Sequence, residues 1–159
     1  MKKAILIIAS FAFLIITLSA FNDRTTAPGV GYNAPDLFLT SGDNVSSLKD
    51  YKGETVLVTF WSSGDALSRI RCNEYSALAD RDDRLRHIAV NFDSNEALFG
   101  EIVKRDNLTA SEQYHVDGER AAQIRLNYHL DRGLHSFLID KKGVIVAVDP
   151  DVEHVNNAL

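Results

Sequence analysis

The sequence predicts an α/β domain in which a mixed β-sheet is flanked by helices and preceded by an N-terminal β-hairpin. Segments with strand and helix patterns alternate through the middle of the chain. The segment TVLVTFW, residues 55–61, is β-branched and aromatic throughout, which is typical of a strand buried on both faces. Near the end, strand patterns at residues 136–140 and 144–148 flank Lys141-Lys142-Gly143, which indicates a closing hairpin. Such an order gives a mixed sheet with helices on its faces.

The elements before and after the central strand follow from local patterns. Apolar and polar residues alternate over residues 36–40, which predicts a strand. Ser41-Gly42-Asp43-Asn44 has the composition of a turn, and residues 45–51 are expected to form a short returning strand followed by a helical turn. After the central strand, Ser63 or Asp65 can cap a helix over residues 66–79. The apolar residues predicted near one face of that helix are Leu67, Ile70, Cys72, Tyr75 and Leu78.

The second half of the chain continues the alternation. We expect a buried strand at residues 87–92, a helix over 95–105, a short strand at 114–116 and a helix over 118–126. The residues expected to face inward from the helix over 95–105 are Ala97, Leu98, Ile102 and Val103. The last nine residues, 151–159, are polar and short, and we expect a flexible tail with no more structure than a frayed helix.

The first twenty residues have the three parts of a secretory signal peptide. Lys2 and Lys3 form a positive start, residues 4–18 are almost wholly apolar, and small residues precede Phe21. The apolar run has no polar face, which argues against a buried helix of the domain. Its length also fits an anchor that stays in the membrane. We therefore expect residues 1–20 to direct export to the periplasm or cell envelope, with cleavage favoured over retention, and residues 21–30 to form a linker.

Composition limits the classes of function. The chain has 159 residues, 45% hydrophobic and 25% charged, which suits one soluble domain that needs neither a disulfide nor a metal to fold. Its formal net charge of -5 argues against a nucleic acid as partner. Cys72 is the only cysteine, so an intramolecular disulfide, a four-cysteine zinc site and dithiol chemistry within the chain are excluded.

Four stretches, in this order, resemble the exported ResA/TlpA-type thiol–disulfide oxidoreductases of the thioredoxin superfamily. They are residues 31–39 (GYNAPDLFL), 47–53 (SLKDYKG), 55–63 (TVLVTFWSS) and 137–145 (FLIDKKGVI). The resemblance implies a thioredoxin-like domain over residues 31–150. It also implies that the family's reaction would lie just after the Phe-Trp pair, at the start of the first helix. There a WCxxC motif supplies a thiolate that attacks a disulfide and a second cysteine that resolves the product.

This chain departs from that pattern on both halves of the redox site. In the degenerate motif Asp65-Ala66-Leu67-Ser68, Asp65 and Ser68 stand where the family has its cysteines, and Gly64 stands where it has an aromatic residue. A carboxylate and a hydroxyl cannot form or break an S–S bond. Leu134 stands where the family has a cis-proline. Because a cis bond before a residue other than proline costs about 3 kcal/mol, we expect a trans bond at Leu134.

The resemblance therefore implies the fold without the family's reaction. Our preferred hypothesis is an exported, redox-inactive binding or scaffold module that contacts another envelope protein. We expect no catalytic residue, metal or cofactor, and membrane contact only through a leader that is retained. The partner would contact either the sheet or the surface that corresponds to the family's active site. The predicted residues of that surface are Trp61, Gly64, Asp65, Ser68, Leu134 and His135.

Other functions use some of the same residues. The lone thiol of Cys72 could form mixed disulfides with a partner, although its place on the inward face, one turn beyond Ser68, favours an inert side chain. Asp65, Ser68 and His135 could form a Ser–His pair or a weak metal site in a non-redox enzyme. No oxyanion element or ligand spacing in the sequence supports that third hypothesis.

Overall fold

The computed structural model describes residues 28–41, 44–108 and 111–159. The predicted signal peptide, most of the predicted linker and the centre of the predicted turn at Gly42-Asp43 lie outside these residues. Within the described part of the chain, no helix combines the length and the apolar character needed to cross a bilayer.

An N-terminal β-hairpin precedes the main sheet. Its strands β1 (Phe38–Ser41) and β2 (Asn44–Ser47) pair antiparallel and lead into a 3₁₀ helix, Leu48–Tyr51. Ser47 caps this helix, because its Oγ accepts from the backbone N–H of Lys49 while its own N–H donates to the carboxylate of Asp50. The hairpin predicted from the sequence is therefore confirmed, and it ends at the 3₁₀ helix that Ser47 caps.

The main sheet has five strands in the order β5-β4-β3-β6-β7. Strands β3, β4 and β5 are parallel, and β6 and β7 are antiparallel to their neighbours. All seven side chains of the central strand β3 are buried, as its sequence predicts. The bounds are β3 (Thr55–Trp61), β4 (Leu85–Asn91), β5 (Glu112–His115), β6 (Ser136–Ile139) and β7 (Ile145–Val148).

Four α-helices cover the two faces of this sheet. Their bounds are α1 (Ala66–Ala79), α2 (Glu96–Arg105), α3 (Gly118–Asn127) and α4 (Val152–Ala158). One face packs against α1, α2 and α4, with Tyr75, Ile102 and Val155 among the buried side chains. The other face packs against α3 and the hairpin, through residues such as Ile124 and Leu39. The result is the predicted mixed sheet flanked by helices, with the N-terminal hairpin added to one layer.

The predicted inward faces of two helices are confirmed in part. On α1, Cys72, Tyr75 and Leu78 are buried as predicted, whereas Leu67 and Ile70 are 58% and 55% exposed and Ser68 is buried. On α2, Ile102 and Val103 face the core as predicted, whereas Ala97 and Leu98 are exposed and Phe99 packs inward. On α1 the apolar pattern is weak in the first turn, and a buried serine occupies the position that a hydrophobic residue would normally take.

The C-terminal residues differ from the expected flexible tail. Val152–Ala158 forms α4, which begins where the Asp151 carboxylate accepts a hydrogen bond from the His154 N–H at 2.7 Å. Val155 is fully buried, and the Tyr75 hydroxyl donates to the Pro150 carbonyl. A helix this short is stabilised by packing more than by its own propensity, which is why its composition alone did not reveal it.

Candidate functional site

The candidate site lies where β3 ends and α1 begins, at the carboxyl edge of the parallel strands. Trp61 ends β3, residues 62–64 cross the edge of the sheet, and Asp65 is the N-cap of α1. Loops and helix N-termini converge at this edge in α/β sheets, which makes it a common place for binding. Phe92 donates its N–H to the Trp61 carbonyl at 2.9 Å, so the ends of β3 and β4 meet there.

Asp65 and Ser68, the two residues predicted to stand at the family's cysteine positions, are hydrogen-bonded to each other. Oδ1 of Asp65 accepts from the backbone N–H of Ser68 at 2.7 Å, and the Ser68 hydroxyl donates to the Asp65 carbonyl at 3.2 Å. This backbone hydrogen bond, with help from the Ser68 hydroxyl, lowers the pKa of Asp65. Asp65 is thus an ionised helix cap, as the sequence predicts, while Ser68 is buried beneath it.

A buried carboxylate that the sequence analysis missed fixes the loop before α1. Asp93 follows β4 and is 7% exposed. Its Oδ1 accepts from the Ser62 hydroxyl at 2.7 Å and the Ser63 N–H at 2.9 Å, and its Oδ2 accepts from Asn91 Nδ2 at 3.0 Å. Burial alone would raise the pKa of Asp93, but these hydrogen bonds outweigh burial and lower it. The sequence feature that could have identified Asp93 is its position directly after a predicted buried strand.

His135 is held by Asp149, a carboxylate that the sequence did not point to. Its Nδ1 lies 2.7 Å from Oδ2 of Asp149, whose Oδ1 forms an ion pair with Arg71 of α1 at 2.7 Å and accepts from the Ser136 N–H at 2.8 Å. The His135 carbonyl also accepts from the Phe60 N–H at 3.1 Å. The segment before β6 is therefore tied both to β3 and to α1.

The Ser–His pair considered from the sequence is not formed. The Ser68 hydroxyl is engaged by Asp65 and by the Ser62 N–H, whereas the His135 ring is engaged by Asp149. In the described part of the chain, no group of three or more histidine, cysteine or acidic side chains is arranged to hold a metal ion. Leu134 has a trans peptide bond, as do all the described residues, and is half-buried against the core on the α3 side of the sheet.

Two members of the predicted contact face lie below the surface. Trp61 is fully buried because alternation along β3 directs it to the side covered by α1 and α2, where it shares a cluster with Cys72 and Ile102. Ser68 lies on the inward stripe of α1. The exposed part of the face consists of Gly64 and Asp65, with Leu134 and His135 partly exposed and the apolar side chains of Leu67 and Ile70 beside them.

The single thiol is fully enclosed in the core. Cys72 is 0% exposed, and burial raises its pKa to about 12 despite a weak contact of 3.9 Å with Gln113 Nε2. The thiol is therefore protonated at pH 7. Because the thiolate is the reactive form, this environment is that of an inert core cysteine.

Comparisons with known proteins agree with this fold. Neither a protein-family model nor a curated protein matches the sequence. Among solved structures, the chain is similar to a thioredoxin-like protein from Parabacteroides distasonis, with 28% identity, a TM-score of 0.70, and coverage of 82% of this chain and 94% of that chain. It is also similar to the thioredoxin domain of a thiol-disulfide oxidoreductase from Bacteroides vulgatus, with 25% identity, a TM-score of 0.69, and coverage of 81% and 94%. A thiol:disulfide interchange protein from Bacteroides sp. shares the fold at 24% identity and a TM-score of 0.69, with coverage of 83% and 88%.

The chain therefore has the thioredoxin-like fold, and the resemblance drawn from its sequence is confirmed. Two of these three neighbours are described as a thiol-disulfide oxidoreductase and a thiol:disulfide interchange protein. This chain has a single cysteine, Cys72.

Proposed function

We propose that this protein is an exported thioredoxin-fold binding module of the cell envelope that does not exchange thiols and disulfides. The main supporting observation is the hydrogen bonding between Asp65 and Ser68, the residues predicted at the two cysteine positions: the Asp65 carboxylate accepts from the Ser68 N–H, and the Ser68 hydroxyl donates to the Asp65 carbonyl. The remaining sulfur, in Cys72, is fully buried and has a raised pKa. No sulfur is thus placed where a substrate disulfide would reach it. The apolar run at residues 4–18 supports export.

The surface around Asp65 has properties that suit a protein partner. Leu67 and Ile70 give it exposed apolar area beside the ionised Asp65 carboxylate. Its base is rigid, because Asp93 fixes the loop and the Arg71–Asp149 ion pair fixes α1 to the segment before β6. A surface that is already ordered loses little conformational entropy when it binds a partner. The partner we expect is another envelope protein.

Reduction of insulin disulfides tests the redox part of this proposal. We expect the protein to reduce insulin no faster than its Cys72→Ala variant. The double variant Asp65→Cys/Ser68→Cys, which restores two sulfurs at the start of α1, is the positive control and should gain activity. Turnover by the unaltered protein above that of Cys72→Ala would overturn the proposal and favour the alternative, a thiol–disulfide role through Cys72.

Alkylation of the native thiol gives an independent check. We expect Cys72 to react with iodoacetamide only after denaturation, because its sulfur is enclosed between α1 and the sheet. Rapid labelling at neutral pH would instead favour the role through Cys72.

Site-specific photo-crosslinking in cells tests the binding part. A photoreactive residue at Leu67 should give a discrete adduct, and that adduct should disappear when Ile70→Asp is added. The same photoreactive residue at Leu126, an exposed leucine on α3, is the matched control and should not give this adduct. An identical adduct from both positions, or one insensitive to Ile70→Asp, would reject this face as the contact surface.

A further inference from the structure

The two outer edges of the main sheet are covered to different extents. Residues 31–34 lie beside β7, where the Gly31 N–H donates to the Ile145 carbonyl at 2.8 Å and the Ile145 N–H donates to the Tyr32 carbonyl at 2.9 Å. The opposite edge is β5, which in the described part of the chain pairs with β4 and with no other strand. An uncovered edge presents backbone donors and acceptors to any extended chain that reaches it.

Two residues of β5 point their backbone groups away from the sheet. The Val116 N–H donates to the Asn91 carbonyl of β4 at 3.0 Å, which fixes the alternation of the parallel ladder. Tyr114 therefore points its N–H and its carbonyl toward β4, whereas Gln113 and His115 point theirs outward. No backbone group of the described ranges forms a hydrogen bond with these outward groups. The edge thus offers two donors and two acceptors to an incoming strand.

Strand β5 lacks the features that usually protect a sheet edge from pairing. It contains no lysine, no proline and no bulge. Its one acidic residue is Glu112, whose carboxylate accepts from the Tyr51 hydroxyl at 2.6 Å and from the Tyr114 hydroxyl at 3.0 Å. The same carboxylate forms an ion pair with Arg86 at 3.3 Å. The negative charge on this edge is therefore compensated within the chain and does not repel a second strand.

The sequence of β5 is complementary to itself in one antiparallel register. About a two-fold axis at Tyr114, Gln113 of one copy lies opposite His115 of the other. Because both residues point their backbone groups outward, each such pair exchanges two hydrogen bonds, and the axis generates a second, identical pair. The same register places Glu112 opposite the apolar Val116 of the second copy, so like charges are not directly opposed.

Exposed apolar side chains flank this edge on both faces of the sheet. On one face, the Phe99 ring of α2 packs beside the His115 ring with their centroids 5.6 Å apart, and the neighbouring Leu98 is 44% exposed. On the other face, the hairpin packs against Tyr114, and its Val45 is 67% exposed. A two-fold axis perpendicular to the sheet places each flank beside its own counterpart, which adds apolar contact to the backbone hydrogen bonds.

We propose that two copies of this protein pair antiparallel through β5 and join their main sheets into one continuous sheet. The second copy is the occupant of this edge because the register at Tyr114 satisfies the outward groups of both copies at once. The contact is small, so the dimer is reversible and depends on concentration. It uses none of the residues of the Asp65 surface and is independent of the binding function proposed there.

Sedimentation equilibrium of the exported protein tests this dimer. We expect a monomer–dimer equilibrium that shifts toward the dimer as the protein concentration rises. Gln113→Pro removes an N–H that does not face β4, so the strand keeps its pairing within the chain and loses hydrogen bonds to the second copy. We expect the dissociation constant of the dimer to rise about tenfold or more.

Gln113→Ala is the matched control, because it removes the same side chain and keeps the backbone N–H. We expect it to raise the dissociation constant by less than about threefold. Equal weakening by the two substitutions would reject the backbone pairing. A protein that stays monomeric at every concentration would overturn the proposal and leave an extended strand of a different protein as the occupant of this edge.

Hydrogen exchange on the unaltered protein locates the contact without any substitution. At high protein concentration the Gln113 and His115 amides should exchange about threefold or more slowly than at low concentration, because both become hydrogen-bonded. The Tyr114 amide faces β4 in the monomer and in the dimer, so it is the internal control and should change little. Equal slowing of all three amides, or no slowing in a protein that dimerises, would reject β5 as the contact.

Discussion

Asp65, predicted to stand where the family has a cysteine, carries the negative charge of a thiolate but lacks its sulfur atom. A negative group at a helix N-terminus is stabilised by the helix dipole whether it carries sulfur or oxygen. A carboxylate also accepts from the backbone N–H groups of the first turn, as Asp65 does with Ser68. A carboxylate at this position therefore gives the start of α1 the same electrostatic character as a thiolate but has no sulfur to exchange with a disulfide.

His87 is a buried polar residue that should make stability depend on pH. Its Nδ1 lies 2.5 Å from the Ser111 hydroxyl and its Nε2 lies 3.0 Å from the Thr59 hydroxyl. Burial lowers the pKa of His87 to about 3, so the folded protein holds it neutral.

In the unfolded chain histidine titrates near 6.5, so between pH 6.5 and about 3 the unfolded state binds one more proton at His87. Stability from this residue is therefore full above pH 6.5 and falls as the pH drops, by up to about 1.4 kcal/mol per pH unit. Between pH 6.5 and about 3, the free energy of unfolding measured in urea should change less with pH in His87→Gln than in the unaltered protein. Parallel pH profiles for the two would contradict the prediction.

At the scale of elements, the strands were more predictable than the faces of the helices. The composition of TVLVTFW is sufficient to identify a central strand, and the two candidate caps, Ser63 and Asp65, place the start of α1 to within two residues. The inward face of α1 was mispredicted only in its first turns, because Ser68 is buried by hydrogen bonds, not by apolar character, while Leu67 is exposed. Asp93 was missed because it contacts Ser62 only when β3 and β4 lie side by side, and this pairing is a tertiary contact that the local sequence does not reveal.

The Asp93 contacts predict a specific local effect. Asp93→Asn replaces one accepting oxygen by an NH₂ group and leaves Ser62, Ser63 or Asn91 with an unmatched partner. We expect a loss of about 1–3 kcal/mol of unfolding free energy and faster hydrogen exchange at the Ser63 amide. Glu96→Gln, at an exposed position in the first turn of α2, is the control. Unchanged exchange at Ser63 would show that Asp93 does not fix this loop.

At the scale of the whole molecule, both faces of the sheet are covered by helices or by the hairpin. The three core clusters have members between Leu37 and Val155 and include every strand of the main sheet. The short helix α4 belongs to this packing, since it closes the sheet face beside α1. The C-terminal residues therefore contribute to the stability of the domain.

Truncation of Val155 measures that contribution. Val155→Ala removes two methyl groups from a fully buried side chain, and we expect a loss of about 1–2 kcal/mol in urea unfolding. Val45→Ala, at an exposed position of the hairpin, should change stability by less than about 0.5 kcal/mol. Equal, negligible effects of the two substitutions would mean that α4 does not pack as described.

The length of β3 determines how the two ends of the molecule are used. Lys52 precedes this strand and Asp65 follows it, and its seven residues span about 20 Å. The turn before β3 and the Asp65 surface are therefore separated by the full length of the central strand, so a partner bound at one end leaves the other end open to solvent.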